Sequence, residues 1–134
     1  MARAGKPQMK NVFLDTHAVL WLYDNKIDKF TFRSKKYLDS TPLWYSPIVY
    51  LELHYLYEIK KNRHLPLTIL KALSNEIGLQ SSTTSFYEII QQATKILWTR
   101  DVFDRVITAD AQVNNAPLIT ADKTIQKYYK KALI

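Results

Sequence analysis

Short apolar runs alternate with helix-length segments along most of this chain, and few architectures accommodate that alternation. Val12 to Thr16 reads as a buried strand, and His17 to Tyr23 as a short helix after it. Arg33 to Asp39 reads as a second helix and Leu43 to Ser46 as a second strand. Ser46-Pro47 is a strong helix start, with Ser as N-cap and Pro at the first helical position, and that helix is expected to reach about Asn62. Pro66 opens another helix that Gly78 ends. Leu79 to Thr84 is a weak strand candidate, and Ser85 caps a helix to about Trp98. Val102 to Val113 is helical, Pro117 to Thr120 a strand, Lys123 to Lys130 a helix, and Ala132 to Ile134 an added edge strand. Short strands separated by helices imply an α/β domain with a parallel sheet flanked by helices. In such sheets ligands bind beyond the carboxyl ends of the strands.

Four acids interrupt this pattern where apolar residues are expected. Asp15 ends the run Asn11 to Leu14, and Asp122 follows Pro117 to Thr120. Glu52 has Ile48, Val49, Tyr55, Leu56 and Ile59 at same-face helical spacings, which places it in a stripe expected to be buried. Asp104 shares its face with Ile107, Thr108 and Ala111. Each has a structural alternative: Asp15 and Asp122 as helix N-caps, Asp104 as a first-turn acid favoured by the helix dipole, Glu52 as a side chain reaching solvent. Asp101 is an N-cap, a support for the site, or a partner of Arg105. Carboxylates are rarely buried unless paired or holding a metal. Four near strand ends or buried helix faces point to one oxygen-rich pocket suited to Mg²⁺ or Mn²⁺ and phosphoryl chemistry.

The remaining acids read differently. Asp110 lies about 240° round the helix from Asp104 and reads as a solvated charge whose neutralisation changes little. Asp24, Asp28, Asp39, Glu76 and Glu88 look like surface charge, and Glu58 sits near Lys61. His17, His54 and His64 lack metal-cluster spacing, and His17 reads first as a structural histidine although it follows Asp15 closely. Tyr50, Tyr55 and Tyr57, with Trp21, Trp44 and Trp98, read as core or interface residues and not as a base-stacking platform.

Composition narrows the function. The formal charge is +7 and the pI about 9.5, so a basic body surrounds the acids, as suits a polyanionic substrate. With no cysteine, disulfides, thiol catalysis and Cys-based zinc sites are excluded, which fits a cytoplasmic protein. The only glycines are Gly5 and Gly78, so no Gly-rich phosphate loop exists. No Ser or Thr stands in a local nucleophile motif. No apolar run reaches membrane-spanning length. Residues 1–10 read as a disordered basic arm, or as vector-derived residues before a start at Met9. The expected domain is 11–134.

VFLDTHAVLWLY (Val12 to Tyr23), SPIVYLEL (Ser46 to Leu53), RDVFDRVITADA (Arg100 to Ala111) and PLITAD (Pro117 to Asp122) together resemble the four signature segments of PIN domains. The chain most resembles the VapC-like branch, the ribonuclease toxins of bacterial toxin–antitoxin pairs. The resemblance covers the chain from about Asn11 onward. It implies a three-layer α/β/α sandwich with a parallel sheet of four or five strands. It also implies a metal-dependent endoribonuclease that leaves 5′-phosphate and 3′-hydroxyl ends. Asp15, Glu52, Asp104 and Asp122 match the family's catalytic, metal-holding acids. Thr120 matches the hydroxyl residue that orients the last acid, Asp101 matches an extra Asp of this branch, and Thr16 belongs with these supporting residues. An antitoxin partner and a homodimer are implied as well. Two departures stand out: Asp110 where relatives usually have Gln, and a polar third strand at Leu79 to Thr84.

A haloacid-dehalogenase-like phosphatase would need a second Asp two residues after Asp15, where this chain has His17. A receiver domain would need paired acids near the first strand. A PIN-like RNA-binding module without catalysis is disfavoured by the complete set of four acids, and an orphan nuclease of RNA processing or maintenance stands beside the toxin reading.

Overall fold

The computed structural model describes residues 11–134, and the expectation for residues 1–10 lies outside the described residues. Among the described residues five strands and seven helices follow in the order β1 (Val12–Leu14), α1 (Thr16–Tyr23), a 3-10 turn (Ile27–Lys29), α2 (Phe32–Ser40), β2 (Leu43–Tyr45), α3 (Ile48–Glu58), α4 (Pro66–Ile77), β3 (Gln80–Ser81), α5 (Phe86–Ala93), α6 (Val102–Val113), β4 (Leu118–Ile119), α7 (Lys123–Tyr128) and β5 (Ala132–Leu133). The sheet order is β3-β2-β1-β4-β5, with every neighbouring pair parallel. Phe13 pairs with Trp44 on one side and Leu118 on the other, which puts β1 at the centre. The chain is thus the three-layer α/β/α domain with five parallel strands.

Burial explains why the central strands read as continuous apolar runs. Val12, Phe13, Leu14, Leu118 and Ile119 are almost wholly inaccessible because helices cover both faces of the sheet. Each such side chain contributes about 1.5–3 kcal/mol of transfer free energy. A smaller apolar cluster of Ile89, Ala93, Ile96, Val106 and Ala109 locks α5 onto α6. The polar Gln80–Ser81 survives as a strand because it is short and lies at the sheet edge.

Helix ends follow local chemistry, and several differ from the sequence expectation. The Ser46 hydroxyl accepts from the Ile48 N–H at 3.4 Å, but regular helix starts only at Ile48. That helix stops at Glu58 and not near Asn62. Lys60 turns left-handed (φ 62°), and the Lys61 N–H donates back to the Leu56 carbonyl. Gly78, at φ 71°, closes α4 as expected. α5 ends at Ala93, well before Trp98, because Lys95 and Ile96 bond to carbonyls three residues back in a tighter turn. α7 likewise ends at Tyr128. Among the described residues no helix is long and apolar enough to cross a membrane.

Candidate active site at the carboxyl edge of the sheet

Asp15 directly follows β1, and Asp122 lies three residues past β4, the strand paired with it. Their shared position at the carboxyl edge follows from parallel pairing. The cap readings of both hold: Asp15 Oδ1 accepts from the Ala18 N–H at 2.9 Å, and Asp122 Oδ1 accepts from the Ile125 N–H at 2.9 Å. Capping occupies one oxygen of each carboxylate and fixes its direction, so it is compatible with a place in the site. Thr120 braces this edge, with its hydroxyl accepting from the Asp122 N–H at 3.0 Å.

The helical acids come from α3 and α6, which pack against each other. Glu52 projects from α3, and the Thr16 hydroxyl at the start of α1 donates to its Oε1 at 2.5 Å. Asp104 lies in the first turn of α6, where the Asp101 carboxylate caps its backbone N–H at 2.9 Å. The pairing of Asp101 with Arg105 does not form; Arg105 donates to the Ala93 carbonyl instead.

Electrostatics shows that these acids share one environment. Burial pushes the Asp104 carboxyl up to about 7, with Asp101, Asp122, Glu52 and Asp15 adding repulsion. Burial also raises Glu52, opposed by the Thr16 hydroxyl and by His17. It raises Asp15 as well, opposed by Thr120 and the Ala18 and Ala121 backbone. Among the described residues no lysine or arginine pairs with the group, and the one ion pair is His54–Glu58 at 3.6 Å. Also among them, no three acidic or imidazole groups converge tightly enough to enclose a metal ion as they stand. The site is an open carboxylate edge and not a preformed cage. Uncompensated hard oxygen donors of this kind suit a divalent cation that retains part of its water shell, as Mg²⁺ does. The donor chemistry therefore fits the metal that the resemblance implies.

Three sequence readings need correction. Asp110 is not solvated; it is fully buried, accepting from Ser82 Oγ at 2.9 Å and Asn114 Nδ2 at 3.0 Å. Helical periodicity placed it away from Asp104 but not in water, because the segment after β3 covers that side of α6. His17 is no structural core histidine; it is exposed and near enough to Asp15 and Glu52 to favour their charged forms. Its place in the first turn after a strand-ending acid was the available signal. The stripe shared with Glu52 is only partly buried: Val49 is inaccessible, whereas Tyr55 and Ile59 are exposed. Glu52 is thus at the boundary of the core, within reach of Thr16, and not inside it.

A parallel α/β domain with carboxylates gathered at the carboxyl ends of its central strands defines the class of protein. The chain belongs to the PIN domain family, whose model matches residues 12–131. No curated protein sequence matches it significantly. Its fold is similar to a chain in the VapBC2 complex of Rickettsia felis bound to a promoter DNA fragment (TM-score 0.62, 17% identity, covering 92% of this chain and 96% of that one). A chain of a Klebsiella pneumoniae toxin–antitoxin complex is similar at TM-score 0.60 and 20% identity, covering 92% and 96%. A chain of VapBC-1 from nontypeable Haemophilus influenzae is similar at TM-score 0.60 and 21% identity, covering 91% and 95%.

Proposed function

We propose that this PIN domain is a divalent-metal-dependent endoribonuclease, and that it is the toxin of a type II toxin–antitoxin pair. One observation carries the nuclease reading: carboxylates from the β1 and β4 ends and from α3 and α6 share an edge and, among the described residues, none of them has a lysine or arginine ion-pair partner, in a basic protein. Asp15, Glu52, Asp104 and Asp122 would hold Mg²⁺ or Mn²⁺, which when bound supplies an activated water and neutralises charge at the scissile phosphate. The chain's own part is positioning. Backbone caps aim Asp15 and Asp122, Thr16 holds Glu52, Thr120 braces the loop that carries Asp122, and the Asp101 cap fixes the first turn of α6 beneath Asp104. Exposed His17 lies near enough to Asp15 and Glu52 to favour their charged forms.

The toxin reading is supported by fold similarity to chains of toxin–antitoxin complexes. An antitoxin would compete for the carboxylates with a basic side chain, most effectively an arginine fork. A homodimer accompanies this proposal, because Tyr50, Leu51, Tyr55 and Tyr57 leave apolar surface of α3 exposed. The decisive experiment incubates the protein with mixed RNA and Mg²⁺ or Mn²⁺, then adds EDTA. Cleavage should require the metal, and cleavage that persists in EDTA refutes the mechanism. Expression of the active chain should arrest growth and the Asp15→Asn form should not; equal toxicity refutes the toxin assignment.

A further inference from the structure

We infer that a basic cleft at the amino ends of β4 and β5, opposite the acidic edge, anchors the RNA backbone away from the reacting phosphate; the inference rests on the ribonuclease reading above. The cleft holds about 180 Å³ and is lined by Arg33, Tyr37, Asn115, Pro117, Lys130 and Lys131, among others. A second cleft of about 330 Å³ shares Arg33 and Tyr37 and adds Lys36, Ser40 and Thr41. Arg33, Lys36 or Tyr37, and Ser40 recur on one face of α2, whereas Lys130 and Lys131 come from the turn before β5. Four cations thus converge from segments almost a hundred residues apart.

No acid lines either cleft, and none of the four cations has a carboxylate partner among the described residues. Lys131 is held in place, its Nζ donating to the Asn115 carbonyl at 3.2 Å and to Asn115 Oδ1 at 2.6 Å. Arg33, Lys36 and Lys130 are exposed. Beside them Phe32 is 78% exposed, with Lys36 Nζ 5.8 Å from its ring centre. Unpaired cations set next to an exposed aromatic ring suit single-stranded nucleic acid, since phosphates take the charges and an unpaired base stacks on the ring. An acidic protein segment would use the cations but leave Phe32 without a role.

α6 measures the separation. It begins at the acidic edge with Asp104 in its first turn and ends beside Asn115, which lines the cleft. Twelve residues of helix span about 18 Å. An RNA engaging both places must extend several nucleotides beyond the scissile bond, so the cleft would favour long or folded RNA over short fragments.

The test uses Arg33→Gln/Lys36→Gln/Lys130→Gln, with Lys131 kept for its structural bonds and melting temperature as the folding control. Binding of a labelled, unstructured RNA of about 30 nucleotides is titrated in EDTA across salt concentrations. Loss of three phosphate contacts should reduce the slope of log K against log salt by about 2 and weaken binding about tenfold at low salt. Phe32→Ala should weaken binding with the slope unchanged. With Mg²⁺ present, the triple variant should lose about tenfold in kcat/KM on the long RNA and nothing on a fragment of about 5 nucleotides. Unchanged affinity and slope overturn the inference. So does an equal loss on the short fragment, which would place the cations' effect at the acidic edge. Tighter binding of poly-glutamate than of RNA at equal salt would overturn it in favour of a protein partner. Binding is read without metal, so its result stands whether or not the protein cleaves RNA.

Discussion

Replacing Asp110 with Asn should stabilise the protein at neutral and alkaline pH but not in acid. Asp110 is fully inaccessible, one of its carboxyl oxygens has no hydrogen-bond partner, and burial pushes it from 3.8 up to about 6 despite help from Ser82, Ser46 and Asn114. Well below pH 3.8 it is protonated in both the folded and unfolded chain and costs nothing. Between 3.8 and about 6 the unfolded chain releases the proton while the fold retains it, so stability falls as pH rises through that window. At 1.36 kcal/mol per pKa unit, the loss is about 3 kcal/mol at most. Asn keeps an acceptor for Ser82 and Asn114 and cannot ionise. It leaves an amide donor where the unpaired oxygen was, which offsets about 1 kcal/mol. The net gain for Asp110→Asn should be about 1–2 kcal/mol above pH 6 and zero or slightly negative in acid. Urea denaturation of both proteins in EDTA at about pH 4.5 and about pH 8 measures it, because all other titrations cancel in the difference. A difference that is the same at both pH values, or a variant less stable at alkaline pH, would refute the reasoning.

The site acids should separate function from stability in the same way. Asp15→Asn, Glu52→Gln, Asp104→Asn and Asp122→Asn should each abolish cleavage, while melting temperatures in EDTA stay equal to or above the parent's because carboxylate repulsion is relieved. Full activity with a large drop in melting temperature would mark a structural acid instead. Thr16→Val removes the donor to Glu52, and about tenfold lower activity, restored by Thr16→Ser, is expected from losing one orienting bond. Equal loss in both variants would mean that the methyl packing of Thr16 matters and not its hydroxyl.

Much of this architecture is legible in the chain because it depends on neighbours. Apolar runs such as Val12 to Leu14, the Ser85 and Asp101 caps, the proline at the start of α4 and the left-handed Gly78 at its end act over three or four residues. The acids ending β1 and following β4 were visible for the same reason. Tertiary structure decided the rest. Only the order β2-β1-β4, with all strands parallel, brings Glu52 and Asp104 to the edge where Asp15 and Asp122 lie. The burial of Asp110 is not legible locally because its partner Ser82 is 28 residues away, and helical periodicity reports a direction but not what covers it. The same holds for Tyr55, which periodicity counts as buried and the fold leaves exposed, and for the cleft between α2 and the turn before β5, whose cations meet only once the sheet has formed. Local patterns record the short-range preferences of the backbone; the burial and charge state of a side chain depend on distant segments that reach it only when the chain is folded.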